Sequence, residues 1–133
     1  MGFRTGDSPG DSYIKKKSVS ASVATDATVT DFADFFPAEC VPLSITIEVT
    51  TGIGNNGFIS KVGTDGDADA FADSIGDGVL EQLGDTISIM AQSASPDTAS
   101  WFAAADALRI THNAQPNAGA VKITMIYIDG TLL

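Results

Sequence analysis

Three stretches of the chain carry residue types and spacings that do chemistry elsewhere. Gly52-Ile53-Gly54-Asn55-Asn56-Gly57 has GxGxxG spacing and follows an alternating apolar run, where a dinucleotide fingerprint sits. A phosphate cradle needs a helix N-terminus directly behind its glycines, yet Phe58-Ile59-Ser60-Lys61-Val62 is β-like, so the segment is expected to be a turn. Asp65, Asp67 and Asp69 place alternate carboxylates as a calcium loop does, because a hard cation wants several oxygens converging on one point. The sixth position of that pattern is Ala70 instead of glycine and the twelfth is Gly76 instead of glutamate, so the three aspartates are expected to form a solvated acidic surface loop, with no metal. A calcium or magnesium site of another kind is the alternative reading of that crowding. His112 is the single histidine, and no GxSxG or comparable signature supplies a nucleophile for it to activate. Cys40 is the single cysteine; it has no basic neighbour to lower its pKa and excludes an intrachain disulfide. Trp101-Phe102 offers a sugar-stacking platform, although aromatics in a small domain more often pack in the core. These residues do not call for an enzyme, and no cofactor is expected.

Those residues need a scaffold, and 133 residues with 44% apolar and 18% charged side chains suit one packed domain. The composition is too apolar for a disordered chain, and no apolar run reaches the ~20 residues of a membrane span. Residues 1–17 lack the apolar stretch of a secretory leader, and Gly6 stands where a myristoylation motif wants Ser or Thr, so a protein made in a cytosol is expected. Charge is uneven: residues 1–17 hold Arg4, Lys15, Lys16 and Lys17 against Asp7 and Asp11, in a chain of net charge −10. The acidic body would repel phosphate backbones, which argues against nucleic acid as a partner, and no membrane is expected either. The basic segment is read as an extended N-terminal arm that docks on an acidic neighbour through Arg4, Lys15, Lys16 and Lys17, with a solvated, disordered tail as the alternative.

Beyond the arm, Val19, Ala21 and Val23 alternate with serines, the period-2 mark of a half-buried strand. Asp31 to Pro42, with Phe32, Phe35 and Phe36 beside Pro37 and Pro42, reads as a loop anchored by its aromatics. Leu43, Ile45, Ile47 and Val49 alternate with polar residues and are predicted to share one face of the clearest strand. After the turn at 51–57, Phe58 to Val62 is predicted to complete a hairpin with it. Asp65 to Asp85 mixes helical spacing at Phe71, Ile75, Val79 or Leu80, and Leu83 with glycines that oppose a helix, and is read as mixed with a short helical turn. Ile87 and Ile89 mark a strand, Ser93 to Thr98 a loop, Leu108 to His112 a strand and Asn113 to Gly119 a loop. Val121 to Ile128 is the last strand, with apolar residues on both faces near its end, as a covered edge or an oligomer interface would require. Six or seven short strands with little helix predict an all-β, antiparallel β-sandwich of jelly-roll type over residues 18–133, preceded by the arm at 1–17.

The run from Phe58 through Val62-Gly63-Thr64-Asp65-Gly66-Asp67-Ala68-Asp69-Ala70-Phe71 to Asp73, then Leu108-Arg109-Ile110-Thr111 and Ala118-Gly119 through Ile123 to Tyr127-Ile128, resembles small jelly-roll structural proteins of tailed bacteriophages. The resemblance covers residues 58–73 and 108–128. It implies a jelly-roll fold and a structural role in the virion, as a capsid decoration or cement protein that forms a homo-oligomer, a trimer, and contacts the major capsid protein or other virion proteins. A tail, neck or fibre-attachment component, and a carbohydrate-binding jelly roll for host attachment, are the alternative expectations.

Overall fold

The computed structural model describes residues 13–90 and 101–132, so the loop expected at Ser93 to Thr98 and the arm residue Arg4 lie outside the described residues. Among the described residues the strands follow in order: β1 (Ile14–Ser22), β2 (Val29–Phe36), β3 (Cys40–Thr51), β4 (Ile59–Thr64), β5 (Thr86–Met90), β6 (Asp106–His112) and β7 (Ala120–Asp129), with a 3-10 turn at Gly130–Leu132. They form two antiparallel sheets, one ordered β1-β7-β3-β5 and the other β2-β6-β4. β1 pairs with the last strand, β2 with the one before it, and β3 lies beside β7: the chain is folded double and rolled, which is the jelly-roll path. The eighth position of that path, outside β4, is taken by residues 71–75. An isolated bridge between Val62 and Ala72 and a bond from Ile75 N–H to Ser60 O at 3.0 Å are what remains of its ladder.

The core lies between the sheets and follows from the period-2 alternation. β3 sends Ile45, Ile47 and Val49 inward, β7 sends Val121, Ile123 and Met125, and β6 sends Leu108 and Ile110, all fully buried. Phe36 stacks on Phe102 at 4.2 Å between ring centroids and meets Phe35 edge-on at 5.3 Å, so one end of the sandwich is aromatic. The outward face of the four-stranded sheet carries a row of hydroxyls, with Ser18 bonded to Thr124 and Thr46 to Ser88, both at 3.0 Å.

Several local expectations change. Asp31 to Pro42 is the end of β2, a three-residue turn and the start of β3. A register shift between Phe32 and Phe36, with Asp34 at φ 54°, buries the consecutive residues Phe35 and Phe36 and so hides the strand period. A second irregularity, between Pro42 and Ser44, takes Leu43 out of step, leaving it half-buried while Ile45, Ile47 and Val49 are sealed. β3 and β4 belong to different sheets, so residues 52–58 cross the sandwich and do not close a hairpin. No helical turn occurs over 65–85; the glycines there serve tight turns, Gly78 at φ 83° and Gly84 at φ 94°. The arm also ends sooner than expected, because Ile14 to Lys17 pair with β7 from Ile128 to Met125.

Candidate functional site

The lysines assigned to the arm lie on opposite faces of β1. Lys15 and Lys17 have the parity of Val19 and Ala21 and point to the inner side, while Lys16 is exposed on the outer face. Lys15 Nζ donates to Asp129 Oδ2 at 2.7 Å. That bond, with one from Thr131, holds the Asp129 carboxyl down to about 2. Lys17 Nζ donates to the carbonyls of Asp34 at 3.0 Å and Phe35 at 2.7 Å, and sits 5.1 Å from the Phe35 ring centroid. The β2 bulge aims those two carbonyls at β1, so Lys17 closes the open side of the sandwich between two edge strands. An inward-pointing charge on an edge strand also discourages further strand pairing there. Of the four cations expected to dock on a neighbour, two are therefore spent inside the fold. The twelve residues ahead of the described ones hold Arg4 against Asp7 and Asp11, so their side chains are not basic on balance.

The acidic loop turns the chain from β4 towards residues 71–75. Thr64 Oγ1 accepts the Asp67 N–H at 3.1 Å, and Asp67 O accepts the N–H groups of Thr64 and Ala70 at 2.9 and 3.1 Å. Asp65 and Asp69 are exposed and Asp67 half-buried. A side-chain hydrogen bond that Asp67, when protonated, shares with Asp69 raises its pKa, the mark of two carboxyls crowded on one another. Asp65 instead adds to the negative surroundings of Arg109, which binds Asp31 through two parallel bonds at 2.7 and 2.9 Å. The three aspartates thus do not face one point, and among the described residues no group of three His, Cys, Asp or Glu side chains could hold a metal ion. The loop backbone folds over Gly63, where a side chain would collide with the Asp67 and Ala68 carbonyl groups.

His112 is buried at the end of β6. Its Nδ1 lies 3.1 Å from Gly57 O, which only accepts, so Nδ1 carries the proton. Nε2 then accepts from Thr30 Oγ1 at 3.2 Å, and that oxygen accepts the Ala24 N–H at 2.9 Å. Burial lowers the imidazole pKa, and the ring ties β2, β6 and the glycine turn together as a neutral group. In that turn Asn55 and Asn56 take left-handed φ of 60° and 58°, Gly57 N–H donates to Gly54 O at 3.1 Å, and β4 follows with no helix. Cys40 is fully buried, and burial pushes its thiol up to about 11 despite Lys17 nearby. Phe102 is core, whereas Trp101 is 47% exposed and rests against Gly130. The sequence alone does not reveal the Lys17 closure, because neither the bulge of β2 nor the start of β1 ahead of Val19 leaves a local signal.

The molecule is a two-sheet jelly roll in which Lys15, Lys17, His112 and Cys40 are engaged in holding the fold, while Lys16 and Trp101 are exposed. No family model matches the chain, and no curated protein matches it. It is similar in fold to a chain of the "Cyanophage Pam1 capsid asymmetric unit", at 17% identity and a TM-score of 0.57, covering 92% of this chain and 91% of that one. It is also similar to a chain of the "Capsid of Ralstonia phage GP4", at 16% identity and a TM-score of 0.55, covering 96% of this chain and 92% of that one. At these identities the likeness is one of fold, and it extends over nearly the whole of each chain.

Proposed function

We propose that this chain is a structural component of a bacteriophage virion, and that it decorates or cements the capsid as a homo-oligomer. The observation that supports this most is the likeness of fold, over nine-tenths of the chain, to chains in two phage capsids. The engagement of Lys15, Lys17, His112 and Cys40 within the fold agrees with an adhesive role. A protein that binds across capsomer junctions but not to separated capsomers raises the free energy of pulling them apart by its own binding energy. The docking role expected of the arm narrows to Arg4 and the outward-facing Lys16.

The test is co-sedimentation of the purified full chain with phage heads assembled without it. Saturable binding, with heads that then survive higher temperature, is the expected result. A chain that leaves heads untouched but sediments with tails would overturn the capsid role in favour of a tail or neck component. The half-exposed Trp101 keeps a host-glycan reading in view, and glycan binding lost in Trp101→Ala would favour it.

A further inference from the structure

The large exposed apolar side chains of the described residues, Trp101 apart, fall into two patches of opposite charge. Ile14 is 58% exposed and Ile126 40% exposed on the outer face of β1 and β7, where Ile126 is the register partner of the exposed Lys16. Lys122, exposed on the same face of β7, lies at the other end of the sheet beside Glu48 of β3, so Lys16 is the cation of this corner. The second patch is the loop before β5, with Leu83 74% exposed and Val79 42% exposed among Asp77, Glu81 and Asp85. From Val62 to Leu108 the chain has no Lys or Arg, so this loop has no cation near it in sequence.

The fold keeps the patches apart within one molecule. Ile14 to Lys16 lie on the β1 edge, at the end of the sheet where β7 pairs with Val41 and Ser44 of β3. The loop is pinned to the other end of β3, by Val49 N–H to Asp85 O at 2.8 Å, Gly84 N–H to Val49 O at 2.8 Å and Ile53 N–H to Glu81 O at 2.7 Å. Val49 spends those bonds on the β5 side, so the two patches occupy diagonal corners, about 14 Å apart across three strand spacings and about 17 Å along the strands.

We propose that these patches meet between copies: the Val79–Leu83 loop of one molecule docks on the Ile14–Lys16–Ile126 corner of the next. The contact joins apolar surface to apolar surface and sets Lys16 against Asp77, Glu81 and Asp85. Within one molecule the Glu81 carboxyl is crowded by Asp77, with which it shares a hydrogen bond that raises its pKa. A lysine from a second copy relieves that crowding. Because each molecule offers both halves of the contact, repetition closes a ring when the rotation allows, and the trimer that the resemblance implies is one such ring. This deepens the reading above and rests on its homo-oligomer component, not on attachment to a capsid.

The test is light scattering and sedimentation of the full chain with two surface variants, Lys16→Glu and Leu83→Glu. The wild type is expected to self-associate, less so at high salt, and each variant to do so about tenfold or more weakly with its β-sheet circular dichroism unchanged. Mixing the two variants leaves one intact corner and one intact loop per pair, so the mixture is expected to regain association that neither shows alone. A monomeric wild type, variants that associate as the wild type does, or a mixture no better than its components would each overturn the proposal. A monomer that still binds phage heads would sink this contact and leave the virion reading standing. An oligomer with both patches required that ignores heads and tails would do the reverse.

Discussion

The imidazole of His112 holds a hydrogen bond on each nitrogen inside the sandwich, and protonating it buries a charge and forces the Thr30 hydroxyl to turn from donor to acceptor. Its pKa in the fold lies below the ordinary value of about 6.5, so the unfolded chain takes up that proton first. The stability it contributes is present above about pH 6.5 and lost as pH falls through the folded pKa. The urea midpoint is therefore expected to drop as pH falls below about 6.5. In His112→Phe that drop is expected to flatten, in a protein about 1–3 kcal/mol weaker because Thr30 and Gly57 lose their partner. Identical pH profiles for the two proteins would show that the ring is not the titrating group. The alternation Leu108-Ile110-His112 already implied an inward histidine. Its partners, Gly57 and Thr30, lie 55 and 82 residues away, and nothing local names them.

At the scale of elements, strands announced themselves where the period of 2 was unbroken. Ile45, Ile47 and Val49, and later Leu108 and Ile110, are buried as their spacing requires. The aromatic segment was misread because a bulge puts two neighbouring phenylalanines inside at once, a pattern that no regular element produces. In the acidic loop Asp65 and Asp69 are exposed, since a crowd of aspartates is costly to bury. The packing of that loop onto β4 is not legible in the sequence, for it depends on Gly63 having no side chain. Gly63→Ala is expected to destabilise by about 1–3 kcal/mol in urea unfolding, because backbone atoms must give way. Gly66→Ala, whose added methyl meets only Thr64 Oγ1 at 4.0 Å, should be close to neutral. Equal effects at the two glycines would show that the loop does not rest on β4 as described.

For the whole molecule, the boundary between arm and sandwich matters most to experiment. A deletion of residues 1–17 removes four paired residues of β1, the Lys15–Asp129 ion pair and the Lys17 closure. Its melting temperature is expected to lie about 5 °C or more below that of a deletion of residues 1–12. Equal melting temperatures would mean that β1 adds nothing before Ser18. Capsid binding by the arm is thus best tested with the shorter deletion, where lost binding cannot be confused with a loosened sheet.

By itself the sequence determined that this is an all-β chain of about seven short strands in a sandwich, because alternation reports which side chains face a core and composition excludes most other classes. It also determined that the GxGxxG run is a turn, since the β-like residues behind it left no helix to hold a phosphate. Only the tertiary structure decided which strands pair, where bulges reset their parity, and that two of the three lysines of β1 turn inward. A period of 2 tells a residue which face it is on but not what lies across from it. The partners of Lys15, Lys17 and His112 are brought there by the folding-over of the whole chain, and that is a property no local stretch contains.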